Sequence, residues 1–388
     1  MTDVRIAGVG MTHFGAHPER TGRDLFAEAG AAALEDAGID RGDVEALYYG
    51  NFMSELAEHQ GHQGPMMAEA VGLSVPATRF ESACASSGAA LRQAVLDIRS
   101  GESDVLLVGG AERMNNLGTA GATEALAIAA DDLYEIRSGV TFPGAYALMA
   151  RAYFDQYGGG KEDLANVAVK NHDNALPNDH AQFQSEIDID DALDAPMVAD
   201  PLGLYDACPF TDGASALIIT SEEYADEHDV DADVAISGSG QGGDRLALQN
   251  REYLARTPAT ETAAEEAYAD AGIGVDDIEL AEVHDCFTIA EVMAIEGLGL
   301  YETGEGISAA RDRETTRDGD VPINLSGGLK AKGHPVGATG TSQVSEMTRL
   351  LRGDHPRSDA VSDATTGVTH NAGGTVASAV VHVLEVNE

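Results

Sequence analysis

The segment Glu81-Ser82-Ala83-Cys84-Ala85-Ser86-Ser87-Gly88 places a thiol among small side chains, just ahead of Ala89, Leu91, Ala94, Val95 and Ile98 at helical spacing. The pattern predicts a helix that starts at or near Cys84 and ends near Arg99-Ser100-Gly101. Unpaired backbone N–H groups at a helix start stabilise a thiolate and can hold an oxyanion, so Cys84 is a candidate nucleophile. The plain alternative is a small buried side chain ahead of a packed helix. A second thiol lies in His284-Asp285-Cys286-Phe287, directly after the strand-like run Leu280 to Val283. A thiol and an imidazole two residues apart at a strand end can serve as acid and base, or can simply be core neighbours.

Two glycine-rich segments could complete such a site. In Gly333-His334-Pro335-Val336-Gly337-Ala338-Thr339-Gly340 the proline restricts His334 to extended backbone and so aims its imidazole. The glycine spacing fits neither the dinucleotide nor the P-loop fingerprint. Thr369-His370-Asn371-Ala372-Gly373-Gly374-Thr375 reads as a turn between strands whose amides could form an oxyanion hole. Asn324 to Lys330 reads as a loop supporting the histidine segment. Cys208, before a buried-looking strand, is assigned a structural role, and His172 and His180 a surface or structural one. The histidines lack the paired spacing of zinc sites, so no metal is expected.

The elements that position these segments come in two copies. Asp3-Val4-Arg5-Ile6-Ala7-Gly8-Val9-Gly10 matches Asp233-Val234-Ala235-Ile236-Ser237-Gly238-Ser239-Gly240. Each is followed by a helical pattern, ending in Asp36-Ala37-Gly38-Ile39 and Asp270-Ala271-Gly272-Ile273. Asp43-Val44-Glu45 and Asp277-Ile278-Glu279 then lead into further strands. A β-α-β-α-β order repeated twice predicts two α/β halves whose loops face one crevice. The halves are taken as 1–114 plus 206–228, and 229–388, with 115–205 inserted as a lid or loop domain and Thr211 to Thr220 as a returning buried strand.

Composition excludes other classes. Asp and Glu number 66 against 23 Lys and Arg, a formal net charge of -43. Such a surface repels nucleic acid and anionic membranes. No apolar run approaches the roughly 20 residues of a membrane span, and no signal-peptide pattern precedes the first strand, so a cytoplasmic location is expected. Three widely spaced cysteines argue against a disulfide framework.

Together these segments resemble the thiolase superfamily over nearly the whole chain. Ser-Ala-Cys-Ala-Ser-Ser-Gly is similar to its nucleophile loop and Gly333 to Gly340 to its signature histidine loop, while His-Asp-Cys-Phe is similar to the sterol-carrier-protein type and its archaeal relatives. The resemblance implies the layered α-β-α-β-α thiolase fold and acyl exchange between CoA thioesters, with no permanently bound cofactor. It implies Cys84 as acyl carrier, His334 as its base and Cys286 as the second acid and base. It assigns one oxyanion hole to His284 and His334, and another to the backbone of Cys84 with Gly373 or Gly374. His370 is taken to stand where common thiolases carry a second cysteine, with the roles of His370 and Asn371 open. Lys330 and Lys332 are candidates for binding the anionic substrate, a loop-stabilising role being the alternative. The implied partners are acetyl-CoA or acyl-CoA, a second copy in a homodimer or homotetramer, a small zinc-containing OB-fold protein and hydroxymethylglutaryl-CoA synthase. A ketoacyl synthase using Cys84, His284 and His334, and a non-catalytic acyl-CoA-binding scaffold, are the rival readings.

Only four lysines occur and the acidity is spread along the chain, the pattern expected of adaptation to high salt, where screening makes self-repulsion tolerable. The melting temperature should therefore fall on dialysis into low salt. An unchanged midpoint would remove the halophilic reading.

Overall fold

The computed structural model describes residues 3–387; Met1 and Thr2, which precede the first expected strand, and Glu388 lie outside them. The first copy of the repeat runs β1 (Val4–Met11), α1 (Gly22–Ala37), β2 (Ala46–Gly50), α2 (Ser54–Ala57), α3 (Gln63–Val71), β3 (Ala77–Phe80), α4 (Ser86–Ser100) and β4 (Val105–Glu112). Segment 115–205 contributes α5 (Gly118–Ala127), α6 (Phe142–Tyr157), α7 (Lys161–Ala175), α8 (Ile189–Asp194) and a small hairpin of β5 (Met197–Ala199) and β6 (Leu202–Gly203). Then β7 (Gly213–Ser221) returns to the first half and α9 (Glu222–His228) leads out of it. The second copy runs β8 (Val234–Gly243), α10 (Pro258–Ala271), β9 (Leu280–Glu282), α11 (Thr288–Gly297), α12 (Gly306–Arg311), α13 (Thr339–Arg352), β10 (Thr366–Gly373) and β11 (Ser378–Val386).

Nine strands form one sheet in the order β3-β2-β4-β7-β1-β8-β11-β10-β9. The halves meet where β1 and β8 pair antiparallel, Val4 opposite Ile236. Within each half the order is the same, because β2 pairs parallel with β4 as β9 does with β10, and β1 and β8 pair antiparallel with β7 and β11. A parallel bridge from Ala281 to Ile323 stands where β3 stands in the first half.

This sheet folds around a central pair of helices. Helix α13 touches both β4 and β9, six strands apart in the sheet order. In a flat sheet that separation would be ~29 Å, whereas a helix of this length spans only ~21 Å. Helices α4 and α13 therefore fill the space between the two halves, with Leu91, Val95, Val344 and Met347 in a shared core. Helices α1 and α10 cover the outer faces, completing the expected layers. The repeated glycines explain how closely they do so. A Cβ at Gly10 would lie 2.1 Å from the Ala29 carbonyl, and one at Gly240 would lie 2.0 Å from that of Ala263. The duplicated pattern thus encodes the fit of strand to helix in both copies.

A buried ionic cluster ties the histidine segment to α13, and it corrects one expectation. Lys332 is fully buried, its Nζ 3.8 Å from Glu346 Oε1 and over the Phe14 ring. Burial pushes the Glu346 carboxyl up, but Lys332, His355 and Arg349 together pull it down to about 2. Lys330 is 3% exposed; burial lowers its ammonium to about 8, against the opposing pull of Cys208, Asp285 and Asp206. Both cations face the protein's own groups, so the geometry supports the loop-stabilising role and not contact with substrate phosphates. Lys332→Met, which strands a buried acid, should cost about 3–5 kcal/mol and lower the melting midpoint while leaving the KM of the folded enzyme unchanged. A raised KM at an unchanged midpoint would return Lys332 to the substrate.

Candidate active site

Cys84 does not sit in the helix but two residues before it, after Ala83 in the left-handed region at φ 48°. That conformation is costly for a residue with a Cβ, of the order of 1 kcal/mol. Here a local network holds it: Ser82 N donates to Ser86 Oγ at 3.0 Å, and Ser86 Oγ donates to the Ala83 carbonyl at 2.6 Å. The backbone N–H groups of Cys84 and Gly374 both pull the Cys84 thiol down. Of the two glycines, Gly374 is the one whose amide acts on this sulfur. Gly373 instead lies where an added Cβ would be 2.4 Å from the Ser82 carbonyl, allowing β10 to approach the cysteine turn.

The histidine segment reaches the same point from the second half. Gly337 packs onto the ends of β2 and β4, where a Cβ on Gly110 would come within 2.1 Å of its carbonyl. His334 N donates to Thr211 Oγ1 at 2.9 Å, which fixes the backbone that Pro335 has made extended. Its Nδ1 lies 2.7 Å from Thr339 Oγ1, whose own hydrogen goes to the Pro335 carbonyl at 3.0 Å. Thr339 therefore accepts from Nδ1–H, and this assignment leaves Nε2 of His334 with its lone pair.

His284 takes the opposite tautomer. The Asn371 side-chain amide donates to the Cys84 carbonyl at 3.1 Å, which identifies that atom as nitrogen, and the same nitrogen lies 3.2 Å from His284 Nδ1. His284 Nδ1 then accepts, and Nε2 carries the proton. This Nε2 is buried without a protein partner. The two imidazole rings meet edge to face with centroids 5.0 Å apart, and Cys84, His284 and His334 bring ligand atoms within 4.8 Å of one another. Sequence spacing argued against metal ligation, but the fold gathers a cysteine and two histidines from three distant segments.

Cys84 and His334 open on a cavity of about 390 Å³ whose walls are largely apolar, among them Phe52, Met114, Leu126, Phe142 and Phe287. Segment 115–205 supplies part of that wall. Cys84, Cys208, Cys286, His334 and Gly374 all line it, so Cys208, expected to be structural, is also a wall of the site. Its N–H donates to the Cys286 carbonyl at 3.0 Å. The histidine and thiol of His-Asp-Cys-Phe are oriented by the residue between them. Asp285 is buried and accepts from Leu329 N at 2.6 Å, Lys330 N at 3.2 Å and Asn171 Nδ2 at 2.7 Å.

Some expected members stand elsewhere. His370 is on the opposite face of β10 from Asn371 and bonds Thr260 Oγ1 of α10 at 3.0 Å, away from the cavity. Strand alternation is the reason: one of two consecutive residues must point outward. His172 is buried and holds the Ser185 carbonyl at 3.0 Å, so it is structural and not on the surface, while half-buried His180 lies 3.3 Å from the Thr12 carbonyl.

Two residues went unread. Tyr146 stacks on Phe287, the neighbour of Cys286, at 4.6 Å and donates to the Gly374 carbonyl at 3.0 Å. Its signal was a tyrosine on the buried face of an amphipathic helix, which is indistinguishable from core. Glu112 accepts from Phe52 N at 2.9 Å, Asn51 Nδ2 at 2.8 Å and Gly337 N at 3.1 Å, so one carboxylate joins both halves. An acid closing an otherwise apolar strand was the available clue.

Burial decides the protonation states. It pushes Cys84 up to about 12, outweighing the amides of Gly374 and Cys84 that pull the other way. It holds Cys286 well above the ordinary thiol value, and lowers His334 to about 3 and His284 well below the usual range. The helix start predicted a stabilised thiolate; desolvation wins, and the resting pair is a neutral thiol beside a neutral imidazole. Iodoacetamide labelling of Cys84 should therefore accelerate about tenfold per pH unit from pH 7 to 9. A rate that levels off near neutrality would mean a preformed thiolate–imidazolium pair.

Comparison with known proteins agrees with this construction. Residues 4–223 match the thiolase N-terminal domain model and residues 240–386 the thiolase C-terminal domain-like model. The chain is 43% identical to an acetyl-CoA acetyltransferase of Methanothermobacter thermautotrophicus, over 99% of both chains. It is 42% identical to one of Methanocaldococcus jannaschii, again over 99% of each. Among solved structures, an Ltp2-ChsH2(DUF35) aldolase superposes with a TM-score of 0.83 at 25% identity, covering 99% of this chain and 98% of the other. With both halves matched and the site assembled between them, the chain belongs to the thiolase family and is an acyltransferase.

Proposed function

We propose that the protein condenses two acetyl-CoA molecules to acetoacetyl-CoA and CoA, and runs the reverse thiolysis, through an acyl-enzyme on Cys84. The observation that carries this reading is the convergence of Cys84, His284 and His334 within 4.8 Å beside an apolar cavity that also holds Cys286.

The neutral resting state supports one proton path. His334 Nε2 takes the Cys84 proton as the sulfur attacks the first thioester carbonyl. The tetrahedral oxyanion sits against the Cys84 and Gly374 amides. As the C–S bond to CoA breaks, the Cys286 thiol gives its proton to the departing CoA thiolate. Cys286 is left as a thiolate, the base that a high-pKa thiol makes once deprotonated. It removes a proton from the methyl carbon of the second acetyl-CoA, whose enolate oxygen is held by the His284 Nε2–H. The carbanion attacks the acyl group on Cys84, and His334 returns its proton to the Cys84 sulfur. Every group ends where it began, so the cycle needs no permanently bound cofactor. Tyr146 holds Gly374 by its carbonyl and packs on Phe287 beside Cys286, and 115–205 acts as the lid domain that keeps water from the enolate.

The same reading extends to assembly. β3 lies at the edge of the sheet, a surface suited to a second copy in a homodimer or homotetramer. The DUF35 component named in the aldolase neighbour supports a small accessory partner of the zinc-containing OB-fold kind, with hydroxymethylglutaryl-CoA synthase as a further member of such a complex.

Mass spectrometry after incubation with acetyl-CoA separates the two thiols. Cys84→Ala should form no acyl-enzyme, whereas Cys286→Ala should still acquire the acetyl mass but lose about a hundredfold or more in condensation. Normal condensation by Cys286→Ala would overturn the assignment of the base.

A further inference from the structure

Asn371 commits both hydrogens of its side-chain amide, one to the Cys84 carbonyl at 3.1 Å and one to His284 Nδ1 at 3.2 Å. The amide cannot turn over. Reversal would set its oxygen against the Cys84 carbonyl oxygen. It would also drive the NH2 group into the place of Oδ1, which packs where a Cβ on Gly88 or Gly340 would lie only 2.6 or 2.5 Å from it. Those glycines sit in the first turns of α4 and α13, where helix dipoles favour a partial negative charge. Asn371 is therefore held in one orientation by its two Nδ2 contacts, while Oδ1 is buried against the two helix starts without a hydrogen-bond partner.

The consequence falls on His284. With Nδ1 receiving a hydrogen bond, the ring proton is confined to Nε2, the buried atom without a protein partner. That proton also bears on the neighbouring cluster. Cys84, His284 and His334 have the ligand types of a zinc site, with atoms no more than 4.8 Å apart, against roughly 3.5 Å for a tetrahedral zinc centre. Metal ligation by His284 Nε2 requires its lone pair, so the ring proton would have to move to Nδ1 and face the Asn371 NH2. A side chain that accepts from a histidine's other nitrogen strengthens that histidine as a ligand; Asn371 does the reverse.

We infer that Asn371 is a positioning residue that locks His284 in its Nε2–H tautomer, thereby presenting the oxyanion donor while denying the Cys84–His284–His334 cluster to divalent metal ions. The oxyanion half rests on the proposed function; the tautomer and the metal exclusion do not.

The wild-type enzyme carries the first arm. Spectra of 15N-histidine-labelled protein should show His284 as Nε2–H and His334 as Nδ1–H, and stoichiometric Zn2+ should leave condensation unchanged. His284 found as Nδ1–H, or inhibition by stoichiometric Zn2+ that acetyl-CoA prevents, would overturn the inference. Asn371→Asp carries the second arm, since a carboxylate accepts from Nδ1–H and frees Nε2. Its kcat should fall ~100-fold with KM little changed. Zn2+ should bind it roughly tenfold or more tightly than wild type, and Co2+ should give a thiolate charge-transfer band that EDTA abolishes without restoring kcat. A folded Asn371→Asp enzyme with wild-type kcat and wild-type metal affinity would refute the lock. The wild-type arm decides the matter if the variant does not fold. If the thiol assignments failed while the tautomers and metal behaviour held, only the oxyanion role would be lost.

Discussion

Everything in the site depends on how closely the starts of α4 and α13 meet. A Cβ on Gly340 would lie 2.3 Å from Gly88 N, so only glycines permit this contact. Cys84 precedes one helix and His334 the other, and the two helices come from opposite copies of the repeat. Thr341 N donates to Ser87 Oγ at 3.1 Å across the same junction. Neither half could build the site alone, because Cys84 comes from one and His334 from the other. The duplicated architecture explains the chemistry in that sense: a quasi-symmetric pair of helix starts, joined at their glycines, is differentiated by what precedes each one.

Burial then sets the terms on which these groups react. A helix start favours a thiolate by some tenths of a kcal/mol to about 2 kcal/mol, whereas removing the sulfur from water acts more strongly in the other direction, and Cys84 rises to about 12. With both histidines held neutral, the Cys84 thiol faces uncharged imidazoles rather than an ion-pair partner. The hydrogen bonds of Thr339 and Asn371 give the two rings opposite tautomers, one a lone pair and the other a donor. Two imidazoles of the same type in one cavity are thus made different by their outer partners, as two carboxylates elsewhere are separated by environment.

What the sequence disclosed and what it concealed divide along physical lines. The halves were legible because the strand glycines answer a local demand, close approach to the next helix, that recurs in each copy. Cys84 and His334 were legible because small residues, glycines and a proline announce unusual backbone. Cys286 was singled out through its neighbours His284 and Phe287, and it lines the same cavity as Cys84. The lysines were misjudged because charge alone does not reveal burial, and the cation of Lys332 is balanced by Glu346 in a different element. His370 and Asn371 could not be separated without the register of β10, since one residue's shift exchanges the inner and outer faces. Tyr146 and Glu112 act through contacts 228 and 225 residues away in the chain, beyond the reach of any local pattern.

The distribution of charge completes the account. A chain with a formal net charge of -43 would be a poor place to develop an oxyanion if its acids reached the cavity. A carboxylate about 6 Å from the reacting oxygen would oppose it by roughly 3 kcal/mol at an effective dielectric of 20. Among the described residues lining the cavity there is no Asp, Glu, Lys or Arg. Glu112, the acid felt most by Cys84, is pushed up to about 7 by burial and has its oxygens turned to backbone amides. In the mechanism we propose, stabilisation of the reacting oxygens falls to neutral donors, backbone N–H groups and one imidazole, whose dipoles need no counter-ion. Salt screens exposed charge far more than it screens such buried dipoles. The surface can consequently carry an extreme net charge while the chamber beneath it holds only neutral groups.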